Sequence, residues 1–332
     1  MNTVMTMTAE RFRPQLVERR VRLQAASGSV SDDYINELIA EVDAALARIG
    51  NGSFGICESC HDTIEADRLE QNPLCRFCLD HLSDAELAIH QQDLNLATQI
   101  QFRLLPRREV MLDSWEGRYC YEPVGAVGGD YCELMVMGGA SSSVPSLFFA
   151  VGDVAGKGVA ASLLMTHLSA ILRSLLPMGL PLAEMVSRAN RLFCEGTGPS
   201  HYATLVCGRT TATGVEICNA GHCPPLLLRQ NGTERLDSNG LPLGLFFGGQ
   251  YTVTHRTLGS GESVVLYSDG ITEARCPSGD DYQEERLVFS LRERFEHGPE
   301  AMADGVIGDI ARFRESAPPY DDMTVMVVRR RG

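Results

Sequence analysis

The stretch FFAVGDVAGKGVAAS, residues 148–162, contains several glycines and a lysine, a combination that is also found in phosphate-binding loops. A P-loop needs a Gly at the position of Val151 and a Ser or Thr at that of Gly158, so this motif is excluded. What remains is Asp153, which follows an apolar, strand-like run. A carboxylate repels phosphate but is a hard oxygen ligand for a divalent cation, so the stretch points to metal chemistry.

Other aspartates occur in the same setting, beside glycines or next to an apolar run. They are Asp130 in VGGDYCE, Asp269 in VVLYSDGITEA, and Asp321 and Asp322 in PPYDDMTVMVV. Taken singly, each could be a turn residue or a helix N-cap. Burying one carboxylate without a partner is costly, so several at strand ends could instead converge on magnesium or manganese.

Four cysteines form a second candidate site. Cys57 and Cys60 lie in CESC, and Cys75 and Cys78 lie in CRFC. Two such pairs at this spacing predict a tetrahedral, structural zinc site. Unrelated cysteine pairs or a redox-active dithiol are the alternatives. The chain has 11 cysteines, an odd number, which in a reducing compartment favours metal binding over disulfides.

The composition limits the class of protein. Of the 332 residues 44% are hydrophobic and 22% charged, an ordinary globular balance, and the formal net charge is −14. Such acidity argues against direct binding of nucleic acid by the chain as a whole. We find no apolar run near the roughly 20 residues that span a bilayer and no signal peptide. The expectation is a cytoplasmic protein without a membrane partner.

The elements that must position these residues change in type along the chain. Apolar spacing predicts a hairpin of two helices, and a further helix follows the cysteines and stops at Pro106. Beyond it, short β-type runs mixed with grouped helices predict an α+β domain. The predicted helices cover 8–26, 31–49, 83–105, 158–176, 181–195, 281–296 and 299–315. The predicted parts are a helical hairpin (1–50), a zinc finger (51–82), a linker helix (83–106) and one large domain (107–332).

The cysteine-rich segment FGICESCHDTIEADRLEQNPLCRFCLDHL resembles the DksA/TraR family of zinc-finger proteins over residues 51–82. The likeness lies in the aromatic-Gly approach, both cysteine pairs and a spacer with Ile64, Arg68, Leu69 and Pro73. That family acts on RNA polymerase through a helical hairpin. The hairpin here is short for that reach, so a regulatory or scaffolding finger is favoured, and polymerase contact is the alternative.

Seven motifs in order resemble a second family over residues 100–332: LLP, PVGAVGGDYCE, FFAVGDVAGKGVAASLLM, NAGHCPPLLL, GLPLGLF, VLYSDGITEA and YDDMTVMVV. They are similar to the PPM-type metal-dependent protein phosphatases, in the SpoIIE/RsbU-like branch. The resemblance implies two antiparallel sheets flanked by helices, an αββα sandwich. It also implies two manganese or magnesium ions at one end of the sandwich, in addition to one structural zinc in the finger.

The resemblance assigns roles in the metal site. It implies that the ions are held by the carboxylates of Asp130, Asp153, Asp269 and Asp321 and by the carbonyl of Val154. Within DDMT, Asp321 is preferred over Asp322, which stays a candidate ligand. The implied chemistry is two-metal hydrolysis, in which an activated water attacks phosphorus in line. Glycines at 128, 129, 152 and 156 would allow the tight turns that gather the carboxylates.

Two residues are candidate substrate contacts. Lys157 could attract the phosphosubstrate, or it could be a solvated lysine at a helix start. His222 in NAGHCPP could contact substrate, although a structural hydrogen bond in a hairpin turn is the favoured alternative. The branch often has a second aspartate in GGDYxD, where this chain has Glu133, and Val154 stands where larger relatives carry a proposed general acid.

The predicted function is a magnesium- or manganese-dependent serine/threonine phosphoprotein phosphatase in bacterial signalling. The resemblance implies a phosphorylated STAS-domain anti-anti-sigma factor as substrate. The linker helix, 83–106, is expected to regulate the enzyme and to pair two chains, unless it only packs on its own domain. The alternative function is a transcription-interaction protein that contacts RNA polymerase. An inactive scaffold is disfavoured because the main aspartates are all present.

Overall fold

A computed structural model describes residues 3–26, 32–82, 84–138, 145–198, 200–238 and 240–332. The sequence MGGASSSVPS, residues 137–146, predicts a flexible loop, and Ser31 is a candidate N-cap of the second helix; Ser31 and residues 139–144 lie outside these ranges. The chain divides into two compact units, residues 1–92 and 93–332.

The first unit contains the helical hairpin and the finger. Its helices are α1 (Thr3–Ala26), α2 (Asp32–Asn51) and the short α3 (Ala66–Gln71), and a 3₁₀ turn covers Leu79–His81. Apolar residues of both long helices share one core with the finger, namely Phe12, Leu16, Val42, Ala45 and Ile49 with Phe54, Ile64 and Leu69. The two helices expected from the periodicity are present, and their common core shows why a hairpin forms: each apolar stripe covers the other.

Helix α4 (Asp84–Leu104) begins in the first unit and ends in the second. The remaining helices are α5 (Gly158–Leu175), α6 (Leu182–Gly196), α7 (Asp269–Thr272), α8 (Gln283–Glu293) and α9 (Gly298–Arg314). The strands are β1 (Glu109–Leu112), β2 (Trp115–Glu122), β3 (Asp130–Met137), β4 (Ser146–Val154), β5 (Ala203–Thr210), β6 (Gly214–Ala220), β7 (Leu226–Arg229), β8 (Gly232–Arg235), β9 (Thr254–Thr257), β10 (Ser263–Tyr267) and β11 (Met323–Arg330).

The strands form two antiparallel sheets. The first sheet has the order β1-β2-β11-β10-β7-β8, and the second has the order β3-β4-β5-β6-β9. The last strand of the chain, β11, lies between β2 and β10. This placement brings the C-terminal segment beside two parts of the chain that are distant in sequence.

Three apolar clusters fill the spaces between four layers. In β4, Leu147, Phe149 and Val151 face the other sheet, whereas Phe148 and Ala150 face α5 and α6. The first sheet likewise packs its other face on α8 and α9. Because strands alternate their side chains, a strand covered on both faces reads as a continuous apolar run, as FFAV and VVLY do. The predicted αββα sandwich is confirmed.

Helix α5 together with the turn after it, Gly158–Met178, is long and apolar enough to cross a membrane. This corrects the expectation that the sequence holds no such segment. Half of the most apolar window is buried inside the protein, where Leu168 and Leu172 pack in the core beneath the second sheet. A helix that covers a sheet explains this apolar composition.

Candidate functional site

The first two candidate ligands face each other across neighbouring strands. Asp130 opens β3 and Asp153 lies near the end of β4, and their Cα atoms are directly opposite in the antiparallel register. Residues opposite each other point to the same face of a sheet, so the two carboxylates meet. The structure therefore brings together two motifs, GGD and GDV, that the sequence places 23 residues apart.

The other two candidate ligands come from the first sheet. Asp269 opens α7 just after β10, and Asp321 lies just before β11. Strands β10 and β11 are antiparallel neighbours, with Tyr267 opposite Val325, so the end of one strand meets the start of the other. The site is thus built where the two sheets end side by side, which no single strand could provide.

Electrostatics place the four aspartates in one cluster. Burial, followed by repulsion from Asp269 and Asp321, raises the pKa of Asp153 to about 7. Burial and then Asp153 raise the pKa of Asp130 well above its usual value, and burial and then Asp321 raise that of Asp269. The pKa values of Asp130, Asp153 and Asp269 are thus raised by burial and by neighbouring carboxylates, which is typical of a functional site.

Two hydroxyl residues that the sequence analysis did not select complete the buried side of the cluster. Thr324 Oγ1 donates to Asp130 Oδ2 over 2.6 Å, and Thr324 is fully buried. Ser268 Oγ accepts from the amide of Thr324 at 2.9 Å and donates to the carbonyl of Asp322 at 3.2 Å. Both residues lie in the motifs quoted above, VLYSDGITEA and YDDMTVMVV. Their hydrogen-bonding role could not be predicted, because a Ser or Thr in a sequence does not reveal which groups will surround it.

Asp321 and Asp322 have different surroundings. Asp322 is 8% exposed, and its carboxylate accepts from the amides of Val124 at 2.8 Å and Gly129 at 2.6 Å. Asp321 Oδ2 lies 2.8 Å from Lys157 Nζ and is part-exposed. Asp321 Oδ1 accepts from the backbone amide of Asp322 at 2.9 Å, so the oxygens of both aspartates have partners, and the preference for Asp321 as ligand stays a prediction.

Glycine at two positions lets the chain segments approach closely. A Cβ on Gly270 would lie 2.1 Å from the carbonyl oxygen of Asp322, and one on Gly129 would lie 3.3 Å from that of Val154. Val154 is buried, and its carbonyl therefore faces the GGD turn, where a backbone ligand is expected. The Gly-rich motifs serve close packing around the aspartates.

The two candidate substrate contacts lie in different environments. Lys157 Nζ bonds the carbonyl of Tyr320 at 2.8 Å and lies 4.4 Å from the centre of that ring. The guanidinium of Arg275 covers the same ring, 4.9 Å from its centre. Two cations therefore flank Tyr320, next to Asp321, and Arg275 was not anticipated from the sequence.

His222 is buried, only 6% exposed, and burial lowers its pKa to about 4. Its Nδ1 lies 2.8 Å from Thr204 Oγ1, which in turn donates to the carbonyl of Asp153 at 3.3 Å. A ring with this pKa is uncharged at neutral pH, and its contact with Thr204 supports the strand that carries Asp153. This position favours the structural role over substrate contact.

Glu133 also has a structural place. It is 2% exposed, and Arg173 Nε of α5 donates to its Oε2 over 2.7 Å. The longer side chain, in place of the aspartate frequent in the branch, thus forms a partly buried ion pair, in which only Glu133 is shielded from solvent. Replacing one partner of such a pair is more costly than losing a surface one.

The aspartate cluster fits divalent cations by its chemistry. Asp130, Asp153 and Asp269 are hard oxygen donors held near one another despite repulsion, which cations would relieve. Among the described residues, a group of three or more such ligand atoms within 4.8 Å of one another occurs only in the finger.

The finger brings together three of its four predicted ligands. Cys57, Cys60, Cys78 and also His81 place their ligand atoms within 4.8 Å of one another. Cys75 lies outside this group, where Arg68 Nη2 contacts its sulfur at 3.7 Å. Sulfur and imidazole are both ligands of zinc, so the donor set fits this metal. His81, in CLDH, has the same spacing from Cys78 as a cysteine pair, a signal that the sequence analysis missed.

Comparison with known families gives two matches. The family model of stage II sporulation protein E, SpoIIE, matches residues 144–331, more than half of the chain. The prokaryotic dksA/traR C4-type zinc finger matches residues 52–80. Both resemblances drawn from the motifs are thereby confirmed.

Relatives of known name are distant. Protein IcfG of Synechocystis is 25% identical over 272 residues, and the match covers 73% of this chain but 42% of that protein. The phosphoserine phosphatase RsbU of Bacillus subtilis is 23% identical over 245 residues, 73% of this chain and 71% of its own. The chain thus spans less than half the length of one of these relatives.

Solved structures share the fold. The SiaA-PP2C domain of Pseudomonas aeruginosa superimposes with a TM-score of 0.62 at 17% identity, over 74% of this chain and 98% of that one. The RsbU and RsbW domains of a Mycobacterium tuberculosis protein give a TM-score of 0.54 at 25% identity, covering 65% and 60%. With its aspartates at the junction of two antiparallel sheets and its match over residues 144–331, the chain belongs to the SpoIIE family.

Proposed function

We propose that this protein is a magnesium- or manganese-dependent phosphatase that hydrolyses phosphoserine or phosphothreonine on a protein. The observation that carries the proposal is the convergence of Asp130, Asp153, Asp269 and Asp321 from both sheets into one electrostatically coupled cluster. Membership of the SpoIIE family and likeness to a phosphoserine phosphatase support it.

Each residue has a defined task in this proposal. The four aspartates and the Val154 carbonyl would hold two divalent ions, which when bound supply an activated water and neutralise phosphoryl charge. Asp322 holds the loop around Gly129 through its amides. Lys157 and Arg275 flank Tyr320 at the rim and would attract the phosphate.

A protein substrate is supported by the surface beside the cluster. A recess of about 230 Å³ there has a lining that includes Lys157 and Asp321 together with apolar residues Leu94, Val124 and Val127. An apolar side chain next to a phosphoserine would fit it. We propose a phosphorylated STAS-domain protein as this substrate, in line with the RsbU-like relatives.

The finger and the linker are proposed to regulate the enzyme. We retain the division into hairpin (1–50), finger (51–82), linker helix (83–106) and phosphatase domain (107–332). The finger would hold one structural zinc through Cys57, Cys60 and Cys78 with Cys75 or His81 as the fourth ligand. Leu96 and Ile100 of α4 are about half exposed and four residues apart, which supports pairing of two chains in the cytoplasm through this helix.

The direct test is hydrolysis of p-nitrophenyl phosphate and of a phosphoserine-containing STAS protein by the full chain. We expect activity with manganese or magnesium, none with EDTA, and a loss of at least about 100-fold in Asp153→Asn. Asp237→Asn, the same change at an exposed site, should keep full activity. An active Asp153→Asn protein would contradict the assignment.

The zinc-finger match favours one other function, that of a transcription-interaction protein. In that case the full chain would co-purify with RNA polymerase, and Asp153→Asn would leave the association unchanged. A phosphatase that does not retain polymerase on a column excludes this alternative.

A further inference from the structure

The last turns of α4 hold the loop that leads to Asp130. Gln101 is 4% exposed, and its side-chain amide makes two hydrogen bonds to a single residue, Gly128. Its Nε2 donates to the Gly128 carbonyl at 2.6 Å, and its Oε1 accepts from the Gly128 amide at 3.0 Å. Both backbone groups of this glycine are therefore satisfied by one buried side chain.

No residue with a side chain fits at position 128. A Cβ at this position would lie 2.2 Å from Tyr121 Oη and 2.3 Å from Asp322 Oδ2. The loop thus passes between side chains that only glycine can approach, and a glycine backbone is the most flexible kind. Its conformation must come from external hydrogen bonds, and Gln101 supplies two of them.

Two further contacts attach the same helix to the fold. Thr98 Oγ1 donates to the carbonyl of Ala126 at 2.8 Å, two residues before Gly128. Arg173 Nη2 donates to the carbonyl of Leu104 at 2.6 Å, and its Nε pairs with Glu133 of β3. Helix α4 is therefore bonded at Thr98 and Gln101 to the loop that precedes the first metal ligand.

We propose that Gln101 is a positioning residue that holds Gly128 and thereby places Asp130 to bind metal. The inference rests on the proposed function for its metal, but the bonds themselves do not. Partners that orient a ligand typically change metal affinity by about 10- to 100-fold when removed.

The test is Gln101→Met in the full chain, because methionine keeps the side-chain length and helix propensity but loses both hydrogen bonds. Gln99→Met, at an exposed position of the same helix, is the matched control. Two quantities are measured: hydrogen exchange of the amides in residues 123–130 without metal, and the affinity for Mn²⁺ by calorimetry.

We expect faster exchange in 123–130 and Mn²⁺ binding weaker by about 10-fold or more in Gln101→Met alone, with kcat largely restored at saturating Mn²⁺. Unchanged exchange and affinity would overturn the proposal. If Gln101→Met does not fold, Thr98→Val carries the test, with binding weakened by about threefold for one lost bond and an unchanged affinity counting against the proposal. If the wild-type protein hydrolyses no phosphoester but Gln101→Met still exchanges faster in 123–130, the phosphatase proposal is refuted and the positioning role of Gln101 stands.

Discussion

The carboxylate of Asp322 accepts a hydrogen bond from the backbone amide of Gly129 at 2.6 Å, although 193 residues separate the two. The same carboxylate also accepts from the amide of Val124. Its neighbour Asp321 accepts from the adjacent backbone amide of Asp322 and pairs with Lys157 at the rim. Two adjacent aspartates in one motif thus divide the work, one holding a loop and the other facing the cluster.

Asparagine at these two positions should therefore have different effects. Asp321→Asn should weaken Mn²⁺ binding by at least about 10-fold if Asp321 is the proposed ligand, with little change in stability, because the pair it loses with Lys157 is solvent-exposed. Asp322→Asn should lower the free energy of unfolding by about 1–3 kcal/mol, because an amide can accept less from the buried amides of Val124 and Gly129. Calorimetry and urea denaturation of both variants make the comparison, and reversed effects would assign the ligand to Asp322.

Thr324→Val should weaken metal binding. Valine keeps the shape of threonine but removes the bond to Asp130 Oδ2, so the carboxylate is less well oriented and we expect about 10-fold weaker Mn²⁺ affinity. Thr210→Val removes a similarly buried hydroxyl, the one that accepts from the amide of Leu147, and serves as control. Equal losses of metal affinity in both variants would show a general loss of stability instead.

Metal binding should depend on pH in the range set by Asp153. Its pKa of about 7 means that below this pH a proton competes with the cation for the carboxylate. We expect the apparent Mn²⁺ affinity to rise by about tenfold per pH unit between pH 5.5 and 7, and less steeply above. An affinity that stays constant over this range, measured by calorimetry, would contradict the raised pKa.

The stability of the metal-free protein should have the opposite slope. The pKa of Asp153 is raised on folding from 3.8 to about 7, so between these values the folded chain holds a proton that the unfolded chain has lost. The free energy of unfolding in EDTA should therefore fall as the pH rises from 4 to 7. In Asp153→Asn this loss is absent, and at pH 7.5 the variant should be more stable by on the order of 2 kcal/mol. Urea denaturation at pH 5 and 7.5 measures both, and a variant less stable than wild type at pH 7.5 would refute the shift.

Zinc removal should affect the first unit. Cys60→Ser should lose the metal and destabilise residues 52–80, because Cys57 and Cys78 share the finger core with Phe54 and Ile64. Zinc content and proteolysis of the finger are the measurements, with Cys276→Ser, outside the finger, as control. Full zinc content in Cys60→Ser would contradict the site.

The fourth zinc ligand can be identified by cobalt substitution. The intensity of the sulfur-to-cobalt absorption counts the thiolates. A lower intensity in Cys75→Ser would assign the fourth cysteine of the C4-type family, and weaker binding in His81→Asn with unchanged sulfur absorption would assign the imidazole of the observed group.

The local sequence was sufficient to predict the residue types of both proposed metal sites. Aspartates at glycine-marked strand ends and paired cysteines are signals carried by a few adjacent residues, and the αββα layers follow from runs such as FFAV that are apolar on both faces. Motif order then identified the family.

Only the tertiary structure decided the tasks within those motifs. That Asp322 holds Gly129, that Thr324 orients Asp130 and that Gln101 clamps Gly128 all depend on β11 lying between β2 and β10 and on α4 packing on the loop before β3. These contacts join residues up to 194 positions apart, as from Thr324 to Asp130. Local sequence patterns predict which residues are buried and which lie in turns. Hydrogen bonds between residues distant in sequence depend on the order of the strands, which local patterns do not encode.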